Sequence, residues 1–145
     1  MDLGIQGKAA LVTGGSRGIG RETARRLLEA GVRVTICARS QTPLVETRDE
    51  LQAKTGGEVH AVVADMAVEA DVERLVHDAA GRFGGVDILV NNAGTMYSGR
   101  FAAVTDQGLR TQLDVKLFGF MRAIRLVAPG MKARRWGRIV NVIGG

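Results

Sequence analysis

The sequence predicts an α/β domain, a parallel sheet with right-handed crossovers and helices on its faces. Three observations carry this. Short apolar, strand-like runs alternate with longer segments of helical periodicity. The first apolar run leads straight into a glycine-rich turn, Gly14-Gly15-Ser16-Arg17-Gly18-Ile19-Gly20, and then into a helix-like stretch. Twenty glycines accompany two prolines, four Phe, one Trp and one Tyr. That composition suits many tight turns around a core of Val, Ile, Leu and Ala. At 145 residues the chain is one domain by length, able to bury roughly two-thirds of its unfolded surface.

Taken in order, Met1 to Lys8 is a lead-in, and Ala9–Thr13 is the first strand. Its unbroken apolar character predicts burial on both faces, as in parallel sheets. Arg21–Ala30 is the first helix, with Ala24, Leu27 and Leu28 inward and Gly31 as its C-terminal glycine. Val32–Ala38 is the second strand. Pro43 to Lys54 is the second helix, with proline near its start and Gly56-Gly57 after its end. Val59–Ala64 is the third strand. Glu69 to Phe83 is an amphipathic helix with Val72, Leu75, Val76 and Ala79 at helical spacing, closed by Gly84-Gly85. Asp87–Asn91 is the fourth strand. Thr105 to about Arg135 is a long helical stretch capped by Thr105. Its expected apolar stripe is Leu109, Leu113, Leu117, Phe120, Ile124 and Val127, and Pro129-Gly130 should kink or end it. Arg138–Ile143 is the fifth strand.

In such a sheet a ligand sits at the carboxyl ends of the strands, where the strand order reverses. The turn after the first strand has the parts of a phosphate cradle. Backbone N–H groups and the positive end of a helix converge there on an anion. Side chains at Gly14, Gly18 or Gly20 would block the turn, the approach of a pyrophosphate or helix-to-sheet packing. The spacing is Gly-x-x-x-Gly-x-Gly, not Gly-x-Gly-x-x-Gly. A magnesium-binding P-loop is excluded because Arg21-Glu22 stand where Lys-Ser/Thr is required. The competing reading is a glycine turn that binds nothing.

The other strand ends carry Ala38-Arg39-Ser40, Asp65-Met66 and Asn91-Asn92-Ala93-Gly94. Arg39 lies nineteen residues after Gly20, where an acidic residue would accept from both ribose hydroxyls of NAD. Here there is no acceptor but a cation, and Arg17 lies on the same side. Two guanidinium groups favour a 2′-phosphate, hence NADP (NADPH) over NAD, against the alternative of a solvated surface arginine. Asp65 has two compatible roles, accepting from an adenine amino group or capping the turn before the next helix. Asn92-Ala93-Gly94 offers an amide, a small residue and a glycine beside a flat ring, or simply a turn.

Composition trims the alternatives. The net charge of +5 comes from scattered arginines rather than a basic run. An anionic small molecule therefore accounts for it better than nucleic acid. The lone Cys37 reads as a buried core thiol in a reducing, cytoplasmic setting. Asp2 and Gly4 argue against a secretory signal, and no apolar run reaches membrane-spanning length. His60 and His77 stand apart, so no metal site is expected.

These motifs together resemble the short-chain dehydrogenase/reductase family. The residues that carry the resemblance are Thr13-Gly14-Gly15-Ser16-Arg17-Gly18-Ile19-Gly20, Asp65, Asn91-Asn92-Ala93-Gly94 and Gly137-Arg138-Ile139-Val140-Asn141-Val142. The resemblance implies a Rossmann-type, doubly wound, three-layer sheet with strand order 3-2-1-4-5, NAD(P) binding, a carbonyl or secondary-alcohol substrate, and homo-oligomers. It maps Gly14, Ser16, Arg17 and Ile19 onto the pyrophosphate loop, and Arg39 and Ser40 onto the 2′-phosphate contact. Asp65 and Met66 map onto the adenine site. Asn92, Ala93 and Gly94 map onto the segment beside the adenosine ribose and the nicotinamide half.

The chain also departs from the family. The family's chemistry uses Ser, Tyr and a Lys four residues later, usually with an Asn. Lys116 stands at the Asn position and Gly144 at the Ser position, and the Tyr-x-x-x-Lys pair falls beyond residue 145. Tyr97 is not followed by a lysine at 101 and reads as a core or substrate-loop residue. The expectation is therefore a cofactor domain truncated after its fifth strand, with no catalytic residue assigned and with that strand an open edge. Two activities stay open: an NADP-dependent oxidoreductase moving hydride between nicotinamide and a carbonyl or secondary alcohol, or a non-catalytic NADP(H)-binding or subunit-interaction module.

Overall fold

A computed structural model describes residues 2–94 and 99–143. Tyr97 and Gly144 lie outside the described residues. The architecture is a five-stranded parallel sheet of order β3-β2-β1-β4-β5, built from β1 (Ala9–Thr13), β2 (Arg33–Ala38), β3 (Val59–Val63), β4 (Ile88–Asn91) and β5 (Arg138–Asn141). Helices α1 (Gly18–Glu29), α2 (Gln41–Thr55), α3 (Glu69–Phe83), α4 (Asp106–Leu113) and α5 (Phe120–Ala133) connect them. This is the doubly wound, three-layer arrangement the alternating pattern predicts.

The core lies on both sides of the sheet because successive strand residues point to opposite faces. Leu11, Cys37, Val62 and Leu89 pack on one face with Val72, Leu75 and Val76 of α3 and Ala123 and Val127 of α5. Val12, Val34, Ile36 and Val90 pack on the other with Ala24 and Leu28 of α1 and Leu44 and Leu51 of α2. All five residues of β1 are buried, as its uninterrupted apolar run requires. Each such Val, Leu or Ile contributes roughly 1.5–3 kcal/mol by leaving water.

Helix ends follow local chemistry. Gly56 and Gly84 close α2 and α3 in the left-handed conformation, with φ of 68° and 82°, which costs glycine little. The second helix begins at Gln41, two residues before Pro43. A proline in the first turn loses nothing, because the N–H groups there have no helical partner. The first helix begins at Gly18 rather than Arg21, so the end of the glycine loop is already its first turn.

The long helical stretch differs from expectation in two respects. First, Pro129 neither ends nor interrupts α5, which runs on to Ala133. Pro129 and Arg125, whose carbonyl loses the N–H donor a non-proline residue would supply, both lie on the exposed face, open to solvent. The helix end beyond is held by Arg134, whose Nε donates to Asp87 Oδ1 (3.1 Å) and whose Nη2 donates to the Val86 carbonyl (2.9 Å). Second, the apolar stripe is split. Leu109, Leu113 and Leu117 are exposed, while Phe120 and Val127 are buried. A π turn over Asp114–Gly119 separates α4 from α5, and this wider turn breaks the 3.6-residue phase. The inward face is Val115 and Gly119 within this turn, then Phe120, Ala123, Val127 and Met131 of α5. Gly119 is required there, because a Cβ would lie 2.6 Å from the Met66 carbonyl oxygen.

At the sheet edge, β5 pairs in register with β4 from Ile88↔Arg138 to Asn91↔Asn141. All four β5 residues are exposed, and the strand ends at Asn141, two residues earlier than predicted.

Candidate functional site

A parallel sheet delivers every strand's carboxyl end to one edge. The structure accordingly brings together Gly14 to Gly20 after β1, Arg39 and Ser40 after β2, Asp65 and Met66 after β3, and Asn92 to Gly94 after β4. The strand order reverses between β1 and β4, which is where an open α/β sheet forms its crevice.

The glycine loop is fixed by close approach. Gly14 has φ of 65°, and a Cβ on it would stand 2.9 Å from Ala93 Cα. A Cβ on Gly20 would overlap the Gly14 carbonyl oxygen and lie 2.6 Å from Asn92 Nδ2. Gly18 differs: open space surrounds it, and its φ of 56° is what a side chain would strain. The Gly15 N–H donates to the Cys37 carbonyl (2.9 Å), tying the loop to β2. No side chain caps α1, and no acidic residue stands in its first turn. The positive end of the helix therefore meets no acidic side chain of its own first turn. Arg17, Gly18 and Ile19 are exposed around it, and Ser16 is half-buried.

Thr13 and Thr47, to which sequence reasoning gave no role, hold this loop together with Asn92. The Thr13 hydroxyl accepts from the N–H groups of Asn92 and Ala93, both at 3.0 Å. Asn92 Nδ2 in turn donates to the Gly14 carbonyl (3.2 Å). The tip of β4 is thereby locked to the start of the loop. From the other side Thr47 of α2, buried, donates its hydroxyl to the Ser16 carbonyl (2.9 Å). Asn91 Nδ2 donates to Asn141 Oδ1 (3.0 Å), joining the ends of β4 and β5. For Thr13 the signal was present: a hydroxyl closing an otherwise apolar buried strand needs partners. Thr47 carried no such signal, since threonines on helices are commonplace.

Thr13→Val tests the lock. It preserves shape and removes one acceptor from two backbone donors. We expect a loss of about 2 kcal/mol in urea unfolding, from two N–H groups left without a partner. No change in the urea midpoint would show that the lock is not holding.

Arg39 and Ser40 are exposed beyond β2. Neither Arg17 nor Arg39 forms an ion pair with a described residue, whereas Arg21 beside them pairs with Glu50 across α1 and α2. Asp65 makes its turn. Its Oδ1 accepts from the Ala67 N–H (2.9 Å), and its own N–H donates to Asp71 Oδ2 (2.8 Å). That backbone bond, helped by Arg74, holds the Asp71 carboxyl below the usual carboxylate range despite an opposing desolvation effect. The Met66 side chain is buried in the core, so only its backbone is available at the tip. Ala93 is half-buried and Gly94 exposed.

The remaining candidates are structural. Burial pushes the Cys37 thiol up to about 12, against a smaller lowering by a Gly14 backbone bond, so it stays protonated and inert. His60 stands edge-on to Phe83 with ring centres 6.4 Å apart, and its pKa is lowered by burial and then by Arg82. Among the described residues no group of His, Cys, Asp or Glu could hold a metal, and no helix is long and apolar enough to cross a membrane. Two surface concavities, one beside Leu3, Ile5 and Leu27 and one beside Met131, Trp136 and Ile139, involve none of the strand-tip residues.

Comparison with known proteins gives consistent results. The family model for short chain dehydrogenases matches residues 8–144. A 3-oxoacyl acyl-carrier-protein reductase of Staphylococcus epidermidis is 37% identical over 136 residues, covering 93% of this chain and 55% of the relative. A rhamnolipid-biosynthesis 3-oxoacyl acyl-carrier-protein reductase of Pseudomonas aeruginosa is 35% identical over 142 residues, covering 95% and 55%. The crystal structure of L-sorbose reductase from Gluconobacter frateurii, complexed with NADPH and L-sorbose, superposes with a TM-score of 0.92 at 35% identity, covering 97% of this chain and 54% of that one. The chain thus spans about half the length of the relatives it matches.

Proposed function

The chain belongs to the short-chain dehydrogenase/reductase family, and from that premise we propose that it binds NADP(H) across the strand tips as the cofactor half of an oxidoreductase acting on a carbonyl or secondary alcohol. The observation that carries this reading is the cradle itself. Backbone approaches at Gly14 and Gly20 leave no room for a Cβ, and a helix end with no acidic residue in its first turn lies beside them. Such a place suits a pyrophosphate.

Each residue then has a physical task. The N–H groups from Ser16 to Ile19 face the pyrophosphate, and the exposed Arg17 and Arg39 guanidinium groups flank the ribose 2′-phosphate together with the Ser40 hydroxyl. Arginine suits that role because its planar fork bonds a phosphate through two donors. Asp65 Oδ1 accepts from Ala67 and keeps its second oxygen for an adenine amino group, beside the Met66 backbone. Asn92, Ala93 and Gly94 line the way to the nicotinamide half, with Thr13 holding their backbone. The bound nicotinamide supplies the hydride chemistry. The relative solved with NADPH supports the choice of NADP over NAD.

A second feature supports self-association. Leu109, Leu113, Leu117, Phe118 and Met121 are between 42% and 51% exposed along α4, the π turn and α5. So much apolar surface on one stretch is characteristic of subunit contacts, and we propose a homo-oligomer held there.

Calorimetric titration tests the cofactor reading. NADPH should bind at least about tenfold more tightly than NADH, one charge-assisted contact being worth about 1.5–3 kcal/mol. Equal affinities would overturn the preference for NADP. Binding of neither nucleotide would overturn the cofactor reading.

A further inference from the structure

We propose that Lys116 selects for an anionic substrate group at the redox end of the strand tips, so that the substrate is a ketone or secondary alcohol bearing a carboxylate. The inference rests on the NADP(H) reading above and names the substrate class of that same site.

The order of the tips sets the direction. Arg39 follows β2, the glycine loop follows β1, and Asn92 to Gly94 follow β4, which lies on the far side of β1 from β2. Adjacent strands lie about 4.8 Å apart. A nucleotide with its 2′-phosphate at Arg39 and its pyrophosphate at the loop therefore extends its redox end toward β4.

Lys116 stands on that side. It lies in the π turn, and its side chain reaches back to the β4 tip. A Cβ on Gly94 would meet Lys116 Cε at 3.0 Å and Nζ at 3.9 Å. A side chain at Gly94 would press on the lysine stem, which would have to give by a few tenths of an ångström. The helix is shaped for this placement. Its α-helical phase breaks at Asp114–Gly119, Val115 beside the lysine is buried, and Gly119 seats against the Met66 carbonyl. A π turn within a long helix is uncommon and often marks a functional position.

The ammonium has no ion-pair partner among the described residues. Arg25, Lys54 and Arg74 on the outer helices each pair with a carboxylate, whereas Arg122, Arg125 and Lys132 on α5, like Lys116, form no ion pair with a described residue; what distinguishes Lys116 is its place beside Gly94. An exposed cation beside the β4 tip, without a counter-ion among the described residues, favours an anion there. An ammonium gives any oxygen a charge-assisted hydrogen bond, and a carboxylate adds Coulomb attraction that a neutral oxygen lacks. The phosphates of the nucleotide already have Arg17, Arg39 and the helix end on the other side of the loop. The charge left at β4 is therefore available to the substrate.

The test uses this chain saturated with NADP+, so that a ketone binds without being reduced. Pyruvate and acetoacetate are titrated beside their methyl esters, which keep the ketone and lose the charge. The unaltered chain should bind an acid about tenfold more tightly than its ester. Lys116→Met should abolish that difference and Lys116→Arg should retain it, with NADPH affinity and circular dichroism unchanged in both. Equal binding of acid and ester by the unaltered chain overturns the proposal, as does an intact difference in Lys116→Met. If Lys116→Met weakens NADPH itself, the ammonium belongs to the nucleotide and the proposal falls while the cofactor reading stands. Failure of the unaltered chain to bind NADPH or NADP+ sinks the cofactor reading. A chain that binds both but ignores the carboxylate sinks only this inference.

Discussion

Gly20→Ala should unfold at a clearly lower urea concentration than the unaltered chain, with a loss of about 2–3 kcal/mol. Alanine favours a helix over glycine by about 1 kcal/mol, so propensity alone predicts the opposite sign. Packing decides the outcome. The new Cβ would overlap the Gly14 carbonyl oxygen and press within 2.6 Å of Asn92 Nδ2. The first of these is backbone and cannot swing aside. Either α1 moves away from β1, or the loop is pushed toward Ala93, and in both cases the cradle opens. The same variant should therefore lose NADPH binding in calorimetry. Gly81→Ala is the internal comparison. Gly81 also lies within a helix, α3, but nothing stands within 4 Å of its added Cβ. That variant should gain about 0.5–1 kcal/mol. Equal shifts in the two variants would mean that the contact between α1 and the loop is not tight.

Arg39→Asp should weaken NADPH by about ten- to a hundredfold while leaving NADH unchanged or improved. The substitution removes a cation from the ribose end and places a carboxylate against a phosphate carrying close to two negative charges. For NADH the same carboxylate becomes an acceptor for the ribose hydroxyls. Arg39 is exposed and has no ion pair with a described residue, so its loss frees no buried charge and the fold should be indifferent. Exposure also means screening, so the difference should shrink as salt is raised. Calorimetric titrations at two ionic strengths separate these effects. Equal losses for both cofactors would remove Arg39 from the phosphate site.

Much of this molecule was legible in the chain because it is written locally. The burial of β1 followed from its run of apolar residues, and the closing of α2 and α3 from Gly56 and Gly84. The cradle followed from glycines placed between a strand and a helix. What escaped the sequence was nonlocal. Thr13 and Ala93 are eighty positions apart, and their hydrogen bond exists only because β1 and β4 are neighbours. Arg134 reaching Asp87, and Thr47 reaching the Ser16 carbonyl, are of the same kind. In each case a polar side chain that reads as ordinary surface is spent on a distant backbone or charge.

The long helical stretch shows the boundary most clearly. Periodicity at 3.6 residues named its apolar members but could not assign them all to the core, and one π turn shifts the phase for everything beyond it. Leu109 and Leu113 lie on α4, which buries no residue at any phase, and Leu117 in the π turn is exposed, while Phe120 and Val127 on α5 face inward. Likewise Pro129 reads as a break and is tolerated, because its missing bond falls on the wet side of α5.

By itself the sequence determined that this chain alternates strand and helix, that a glycine turn opens its first helix, and that cations rather than acids flank that turn. Those are properties of neighbours along the chain, where sterics and backbone freedom act over a few residues. Only the tertiary structure decided that Asn92 and Thr13 lock the loop, that the helix phase breaks at Asp114–Gly119, and that Lys116 rests against Gly94. Such choices depend on which surfaces the sheet brings within a few ångströms of each other, and no local propensity encodes that distance.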